Sequence, residues 1–299
     1  MSSNAMMVEQ SDERDGLRAR LAGMWTSVAE GWSRHAEYAD ARGAQTAQRM
    51  LELAQVRAGD RVLELACGPG GLGLAAAERV GPGGEVVLTD VVEEMTTIAA
   101  ARAGALGLGN VGFRRLDLER IDEPDAAYDV VLCREGLMFA LEPARAVGEI
   151  RRVLRPGGRV ALAVWGPRER NPWLGLVMDV VSAQTGAPVP PPGIPGPFAL
   201  GDADELQRLL DGAGLADVRV GELSVPLRSA SFDEWWERIS ALAGPLSAIL
   251  AGMPDPAVQA LRRRARAAVR DYESASGGLD FPGVALIASG RRVAEPAAG

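Results

Sequence analysis

The spacing of apolar residues divides the chain into helical and strand-like stretches. Between residues 12 and 32 apolar side chains recur every three or four positions, which predicts a helix with one apolar face; a second helix is predicted over 45–54. Short continuous apolar runs then predict buried strands over 61–66, 85–90, 111–117, 129–133 and 159–165. The helices predicted between or after these strands span 72–80, 93–106 and 142–154.

Strands that alternate with helices at this spacing are typical of a parallel sheet covered on both faces, so the predicted fold class is α/β, doubly wound. After residue 165 the alternation is interrupted. Here the pattern predicts helices over 173–184 and 202–210, a strand over 217–225, a helical block over 231–272 and a strand over 283–289. We therefore expect an N-terminal helical lid (1–56), a core (57–166), and cap helices with the last strands (167–299).

Composition narrows the range of chemistry. The 32 cationic residues against 40 acidic ones give a net charge of −8, which disfavours nucleic acid as a partner. Every cation is arginine, which excludes Schiff-base and P-loop lysines. With one histidine and two cysteines we expect no metal site, no disulfide framework and a cytoplasmic location. No apolar run reaches 18 residues, so we expect no membrane span.

The strongest motif is the glycine-rich segment Glu64-Leu-Ala-Cys-Gly68-Pro-Gly70-Gly-Leu-Gly73, between the first predicted strand and its helix. Glycines allow a tight turn and close approach of a ligand to the backbone. Asp90 follows Gly70 by twenty residues and ends the second strand, where a carboxylate can accept hydrogen bonds from both ribose hydroxyls. The segment therefore predicts a nucleoside-containing cofactor at the carboxyl edge of the sheet.

Two cofactor classes fit the glycines. Gly68, Gly70 and Gly73 match G-x-G-x-x-G, so an NAD(P)-dependent oxidoreductase is one alternative. Three features favour another cofactor. Glu64 interrupts the apolar strand, Asp117-Leu118 ends the third strand, and the loop follows helices able to form a lid.

Taken in order, Glu64-x-x-x-Gly68-x-Gly70, Asp90, Asp117-Leu118 and Leu154-Arg-Pro-Gly-Gly158 resemble the motif series of class I S-adenosylmethionine-dependent methyltransferases. The closer similarity is to the small-molecule branch that includes the ubiquinone/menaquinone-type (type 11-like) enzymes, and it covers about residues 57–165. The resemblance implies S-adenosylmethionine as cofactor and a seven-stranded, mostly parallel sheet. It also implies an antiparallel last strand, for which 283–289 is suited.

The resemblance further implies a role for individual residues. Glu64 and the loop from Ala66 through Gly68 to Gly70 hold the methionine part of the cofactor, and Asp90 binds its ribose. The remaining implied cofactor residues are Met95 beside the adenine, Asp117 and Leu118 at its exocyclic amine, Arg134 in the pocket, and the lid aromatics Trp25 and Trp32. A carboxylate near the glycine loop suits the ammonium group of the cofactor, and an aromatic lid excludes water.

Catalysis of methyl transfer depends mainly on the alignment of the two reactants. Alignment lowers the activation free energy by on the order of 7–11 kcal/mol, whereas a positioned base lowers it by roughly 3–5 kcal/mol. The candidate bases are His35, near the lid, and Glu135, just after the fourth strand. His35 also fits a solvated or capping role, and Glu135 also fits an ion pair with Arg134 or Arg145.

The expected acceptor is a small or medium apolar molecule, methylated on oxygen or carbon. This expectation rests on the apolar side chains of the predicted cap, which are Trp173, Met178, Trp235, Trp236, Leu246 and the proline-rich loop 188–197. A homodimer is left open. The remaining alternative is a cofactor-binding protein that transfers no methyl group.

Overall fold

In the computed structural model, which describes residues 3–294 with side chains from Arg14 onward, seven strands form the main sheet in the order β3-β2-β1-β4-β5-β9-β6. Their bounds are β1 Arg61–Leu65, β2 Glu85–Asp90, β3 Val111–Arg115, β4 Tyr128–Arg134, β5 Leu154–Trp165, β6 Leu215–Ser224 and β9 Val284–Arg292. The first five strands in this order are mutually parallel, and β9 is antiparallel to both β5 and β6. The predicted fold class and the antiparallel slot of the last strand are confirmed.

Helices cover both faces of the sheet, which is why its central strands are continuous apolar runs. The bounds are α1 Ser3–Thr26, α2 Ala29–Arg34, α3 Ala36–Leu53, α4 Gly71–Val80, α5 Glu93–Ala105, α6 Pro143–Val153 and α8 Ala203–Gly212. On one face α4 and α5 pack against β1–β3, and α3 lies beside α4 over β5 and β9. On the other face α6 lies on β5 beside α8. Asp202 caps α8 by accepting a hydrogen bond from the Glu205 N–H at 2.8 Å.

The rest of the described chain after β5 forms a cap of four α-helices and one small two-stranded sheet. The cap helices are α7 Pro172–Thr185, α9 Phe232–Leu242, α10 Gly244–Ala251 and α11 Asp255–Ala268. Strands β7 Leu227–Ser229 and β8 Leu279–Phe281 pair antiparallel beneath α9. No helix of the described part of the chain has the length and apolar character needed to cross a membrane.

The structure differs from the predicted elements where helices break. The predicted helix over 12–32 ends at Thr26 and resumes at Ala29, and the second predicted helix begins at Ala36 instead of residue 45. The block 231–272 divides into three α-helices. Pro245 lies in the first turn of α10 and Pro254 is the N-cap of α11, and proline is tolerated at these positions but not inside a helix. The short pair β7–β8 had no signal strong enough to predict it. The ends of the predicted lid and cap segments, residues 1–2 and 295–299, lie outside the described residues.

Candidate active site

A cavity of about 250 Å³ lies at the carboxyl ends of β1, β2 and β4. The strand order reverses between β1 and β4, which is the position where open α/β sheets bind ligands. Ten of the twelve predicted site residues line this cavity: Trp32, Glu64, Ala66, Gly68, Asp90, Met95, Asp117, Leu118, Arg134 and Glu135. The structure thus brings together candidates that are spread over more than a hundred positions of the chain. Gly70 and His35 are not among the lining residues.

Gly70 has a packing role in the turn after β1. Its φ is 89°, a left-handed conformation that favours glycine. A Cβ at this position would lie 2.9 Å from atoms of Ala99 and Leu88, so the missing side chain lets the turn pack against α5 and β2. Gly68, also left-handed with a φ of 52°, faces the cavity instead. Of the predicted glycines, Gly68 is therefore the one that offers its backbone to a ligand.

Glu64 is a buried carboxylate in the cavity wall whose Oε2 has no hydrogen-bond partner among the described residues. Burial raises the pKa of Glu64 to about 8, although the charge of Arg134 opposes the shift. Room for the carboxylate comes from Gly73, where a Cβ would lie 2.3 Å from Oε2. A buried carboxylate with one oxygen left without a hydrogen-bond partner, beside a glycine turn, is suited to a cationic ligand group such as an ammonium.

Asp90 already supports the glycine turn. Its Oδ2 accepts a hydrogen bond from the Gly68 N–H at 3.0 Å, and its Oδ1 accepts one from the Val92 N–H at 3.1 Å. Burial raises the pKa of Asp90 to about 6, while these backbone hydrogen bonds oppose the shift. Each carboxylate oxygen has a second acceptor position, so Asp90 can still accept from two hydroxyl groups.

The next part of the cavity is apolar and is closed by the N-terminal helices. Met95 is buried in a small cluster with Ala29 and Val92, against which Trp25 and Trp32 pack. This cluster is suited to the flat face of a purine ring.

Asp117 lies at the cavity wall beside Glu119 and is approached by Arg18 of α1. The Asp117 Oδ1 accepts from the Glu119 N–H at 2.9 Å, while Arg18 donates to the Glu119 Oε2 at 2.6 Å and lies 3.7 Å from Asp117 Oδ2. Helix α1 is therefore held over this end of the cavity by an arginine that the sequence reasoning did not select.

His35 lies at the contact between the lid and the cap, outside the cavity wall. Its Nε2 is 3.0 Å from the Glu237 Oε1 of α9. Nearby, the Trp32 Nε1–H donates to the Leu242 carbonyl at 3.1 Å, and a Cβ at Gly31 would lie 2.3 Å from the Ala241 oxygen. The geometry gives no support to His35 as a base, because its ring lies outside the cavity wall.

Arg42 of α3 is a lining residue that the sequence reasoning missed, and it is the ion-pair partner of Glu135. The Arg42 Nη2 donates to Glu135 Oε2 at 3.1 Å; the alternatives for Glu135 had been Arg134 and Arg145. Tyr38, four residues before Arg42, also lines the cavity. The i, i+4 spacing places both side chains on one face of the helix, and this much could be predicted from the sequence. The pattern does not predict which part of the protein that face packs against.

Residues from β5 and the cap, most of them apolar, form much of the remaining wall. They include Trp165, Trp173, Leu174, Met178, Trp235 and Leu246, with Val189 and Pro197 from the proline-rich loop. Trp236, expected among them, is buried instead with its ring stacked 6.2 Å from Phe232.

The chain is similar in sequence and in fold to known proteins. A family model described as a methyltransferase domain matches residues 57–180. The ubiquinone/menaquinone biosynthesis C-methyltransferase UbiE of Ralstonia nicotianae is 35% identical over 193 residues, which cover 58% of this chain and 77% of that protein. This chain belongs to the class I S-adenosylmethionine-dependent methyltransferases. The methyltransferase is thus an enzyme that transfers a methyl group from S-adenosylmethionine to small molecules.

Two further similarities place the methyltransferase among its relatives. The nocamycin O-methyltransferase of Saccharothrix syringae is 31% identical over 205 residues, covering 64% of this chain and 73% of that enzyme. The crystal structure of the YcgJ protein from Bacillus subtilis superposes with a TM-score of 0.58 at 22% identity, covering 84% of this chain and 100% of the other, which shows the shared fold. The comparisons give no support to the oxidoreductase alternative.

Proposed function

We propose that this methyltransferase acts on an apolar small molecule held between the strand tips and the cap, with Glu135 as the base. The observation that carries the proposal is that one continuous cavity wall is built from two kinds of residue. Carboxylates and glycine backbone at the tips of β1 and β2 meet tryptophans from β5, α7 and α9. The first group is suited to the polar parts of the cofactor and the second to an apolar acceptor.

The proposed cofactor contacts follow from the donors and acceptors at each position. Glu64 takes the ammonium group, and Asp90 accepts hydrogen bonds from the ribose hydroxyls. Met95 lies along the adenine, with Asp117 and Leu118 at its exocyclic amine. The Ala66–Gly68 backbone and Arg134 complete the methionine end, and Trp32 closes the pocket from the lid.

S-adenosylmethionine, when bound, supplies an electrophilic methyl group and a sulfur that accepts the electron pair of the broken carbon–sulfur bond. The residues of the chain align the acceptor and exclude water. Glu135, at the end of β4, takes the proton of an acidic hydroxyl or carbon acid and returns it to solvent after the reaction. The apolar walls favour an acceptor with few polar groups.

The experiment is a two-stage assay of the full chain. Calorimetric titration with S-adenosylhomocysteine and, separately, NADH tests the cofactor site. Transfer of labelled methyl groups to a panel of phenols, quinols and polyketides, with polar amines and sugars as controls, then tests the acceptor class. We expect binding of S-adenosylhomocysteine and labelling of apolar acceptors. Labelling confined to the polar controls, or tight binding without any transfer, would overturn the proposal.

A cytoplasmic location and the absence of nucleic acid and membrane among its partners remain predictions, and a homodimer remains an open possibility. Sedimentation velocity of the purified protein tests the last of these.

A further inference from the structure

Arg42 is held in the apolar part of the cavity by two tryptophans and one carboxylate. Its Cζ lies 5.0 Å from the ring centroid of Trp165 and 5.6 Å from that of Trp173. Those two rings meet edge to face at 4.9 Å. The Arg42 and Glu135 side chains are each 15% exposed, and their contact spans 3.1 Å. A guanidinium is therefore fixed in orientation within a mostly apolar part of the wall, which Tyr38, Ser229 and Arg238 also line.

The hydrogen-bonding capacity of Arg42 is largely unused within the protein. A guanidinium has five N–H donors, and among the described residues it is Glu135 that accepts a hydrogen bond from Arg42. Arg152, on the outside of the sheet, shows the opposite pattern, because it donates to the carboxylates of Glu149 and Asp125 and to two backbone carbonyls. The N–H donors of Arg152 are used by the protein itself, as is typical of an arginine with a structural role. Arg42 instead has N–H donors left for a ligand in the cavity.

Glu135 is held in an unusual backbone conformation next to the cofactor turn. Its φ is 59°, and that of Ala66, at the same point after the neighbouring strand β1, is 51°. Left-handed residues other than glycine persist where the surroundings enforce them, and they concentrate at active sites. A Cβ at Gly136 would lie 2.4 Å from the Ala66 Cβ, so the two turns touch. The Arg42–Glu135 pair thus lies between the cofactor turn and the apolar wall.

We propose that Arg42 anchors the methyl acceptor by binding its oxygen as an anion, so that the acceptor class is an apolar molecule with an ionisable enol or phenol. The inference rests on the proposed function, which it makes more specific. A fixed guanidinium stabilises a delocalised oxyanion, and the tryptophan faces accommodate the apolar remainder. A neutral aliphatic alcohol gains little from such an anchor.

Arg42 and Glu135 have complementary roles in the reaction. The O–H bond of the acceptor breaks, the proton moves to Glu135 Oε1, and the electron pair stays on the oxygen bound by Arg42. That pair, directly or through the conjugated carbon, then forms the new bond to the methyl group, while the electrons of the broken carbon–sulfur bond go to the sulfur of the cofactor. Glu135 afterwards releases its proton to water. Methylation on oxygen is then complete. Methylation on the adjacent carbon also breaks the C–H bond of that carbon, and the proton passes through the ionised Glu135 back to the oxygen, which restores the enol or phenol.

The test uses 4-nitrophenol, whose absorption distinguishes phenol from phenolate, and its neutral ether 4-nitroanisole. Both are titrated into full-length protein saturated with S-adenosylhomocysteine, at the pH where the free phenol is half ionised. We expect the bound phenol to be mostly phenolate and to bind about tenfold tighter than the ether. Arg42→Gln should abolish this roughly tenfold preference without changing ether binding, and Arg42→Lys should retain part of it. Arg49→Gln, an exposed arginine on the same helix, is the matched control.

Glu135→Gln separates an anchor from a merely structural ion pair. Removing the competing carboxylate should strengthen phenolate binding by roughly threefold or more, opposite in sign to Arg42→Gln. If both substitutions weaken phenolate and ether alike, the pair is structural and the inference is overturned. Equal binding of phenolate and ether by the unsubstituted protein overturns it as well. Failure of S-adenosylhomocysteine to bind would instead refute the proposed function, so the two failures are distinguishable.

Discussion

Asp90, at the tip of β2, accepts a hydrogen bond of 3.0 Å from the backbone N–H of Gly68, in the turn after β1. The carboxylate proposed to bind the ribose therefore also holds the glycine turn in its left-handed conformation before any ligand arrives. Two strand tips are coupled through one side chain, so the cofactor meets a turn that is already formed. Preorganisation of this kind reduces the entropy that binding must overcome.

Substitution of Asp90 should weaken cofactor binding. Asp90→Ala removes a charged acceptor, a loss of about 1.5–3 kcal/mol, or roughly tenfold to a hundredfold in affinity. Asp90→Asn keeps one acceptor oxygen and should lose less. Calorimetric titration with S-adenosylhomocysteine measures both variants. Unchanged affinity in Asp90→Ala would contradict the ribose assignment.

Cofactor binding at neutral pH should release a proton from Glu64. Burial raises its pKa to about 8 in the free protein, so the side chain is mostly protonated at neutral pH. A bound ammonium favours the carboxylate and expels that proton. Calorimetry in two buffers of different ionisation enthalpy counts the protons released. Glu64→Gln is the matched control, and equal proton release in both proteins would show that Glu64 does not meet the ammonium.

The same two carboxyl groups should make the free protein lose stability as pH rises. Each has a folded pKa above its ordinary value, about 8 for Glu64 against 4.5 and about 6 for Asp90 against 3.8. Between those limits the folded state holds protons that the unfolded state has released, so the free energy of unfolding falls with increasing pH. The decline should run from about pH 4 to 6 for Asp90 and to about 8 for Glu64. Urea unfolding measures this free energy across the pH range, and it should decline less steeply with pH in Glu64→Gln than in the unsubstituted protein. If the two proteins declined in parallel, the raised pKa of Glu64 would be ruled out.

Glu135→Gln and His35→Gln should differ in turnover. Loss of a positioned base lowers the rate by about 10²–10⁴-fold, and Glu135→Gln should show this with cofactor affinity nearly unchanged. His35 contacts Glu237 outside the cavity wall, so His35→Gln should change the rate by no more than about twofold, within the effect of a peripheral hydrogen bond. Steady-state kinetics on an acceptor from the methyl-transfer panel provide the measurement. A large rate loss in His35→Gln alone would restore the histidine as the base.

Asn171→Ala should destabilise the junction of the cap with the sheet. The buried Asn171 donates to the carbonyls of Gly166 and Val284 at 3.2 and 3.0 Å, and accepts from the Val284 N–H at 3.0 Å and from Trp173 Nε1–H at 3.2 Å. Each buried group left unsatisfied costs about 1–3 kcal/mol, so we expect a total loss of about 2–4 kcal/mol in urea unfolding. The control Gln48→Ala removes a surface hydrogen bond to Glu52 and should stay within about 0.5 kcal/mol of the unsubstituted protein. A loss below about 1 kcal/mol in Asn171→Ala would mean that water replaces these contacts.

The sheet from β1 to β5, the glycine turn and the carboxylates at the strand tips were predictable from local patterns along the chain. These features are recorded locally, since continuous apolar runs mark buried strands. The alternation with helices makes the strands parallel, so their carboxyl ends meet at one edge. Asp90 and Asp117 could be assigned to that edge without knowing a single contact between them.

The lid and cap residues that enter the cavity could not be predicted from local patterns, because they depend on contacts between distant parts of the chain. Arg42 meets Glu135 across 93 positions of the chain, and His35 meets Glu237 across 202, although both lid residues lie within one short stretch. Helical periodicity defines a face but not its partner, because the partner depends on how distant helices dock. The tertiary packing therefore places His35 against α9 and Arg42 against the tryptophans of the cavity wall.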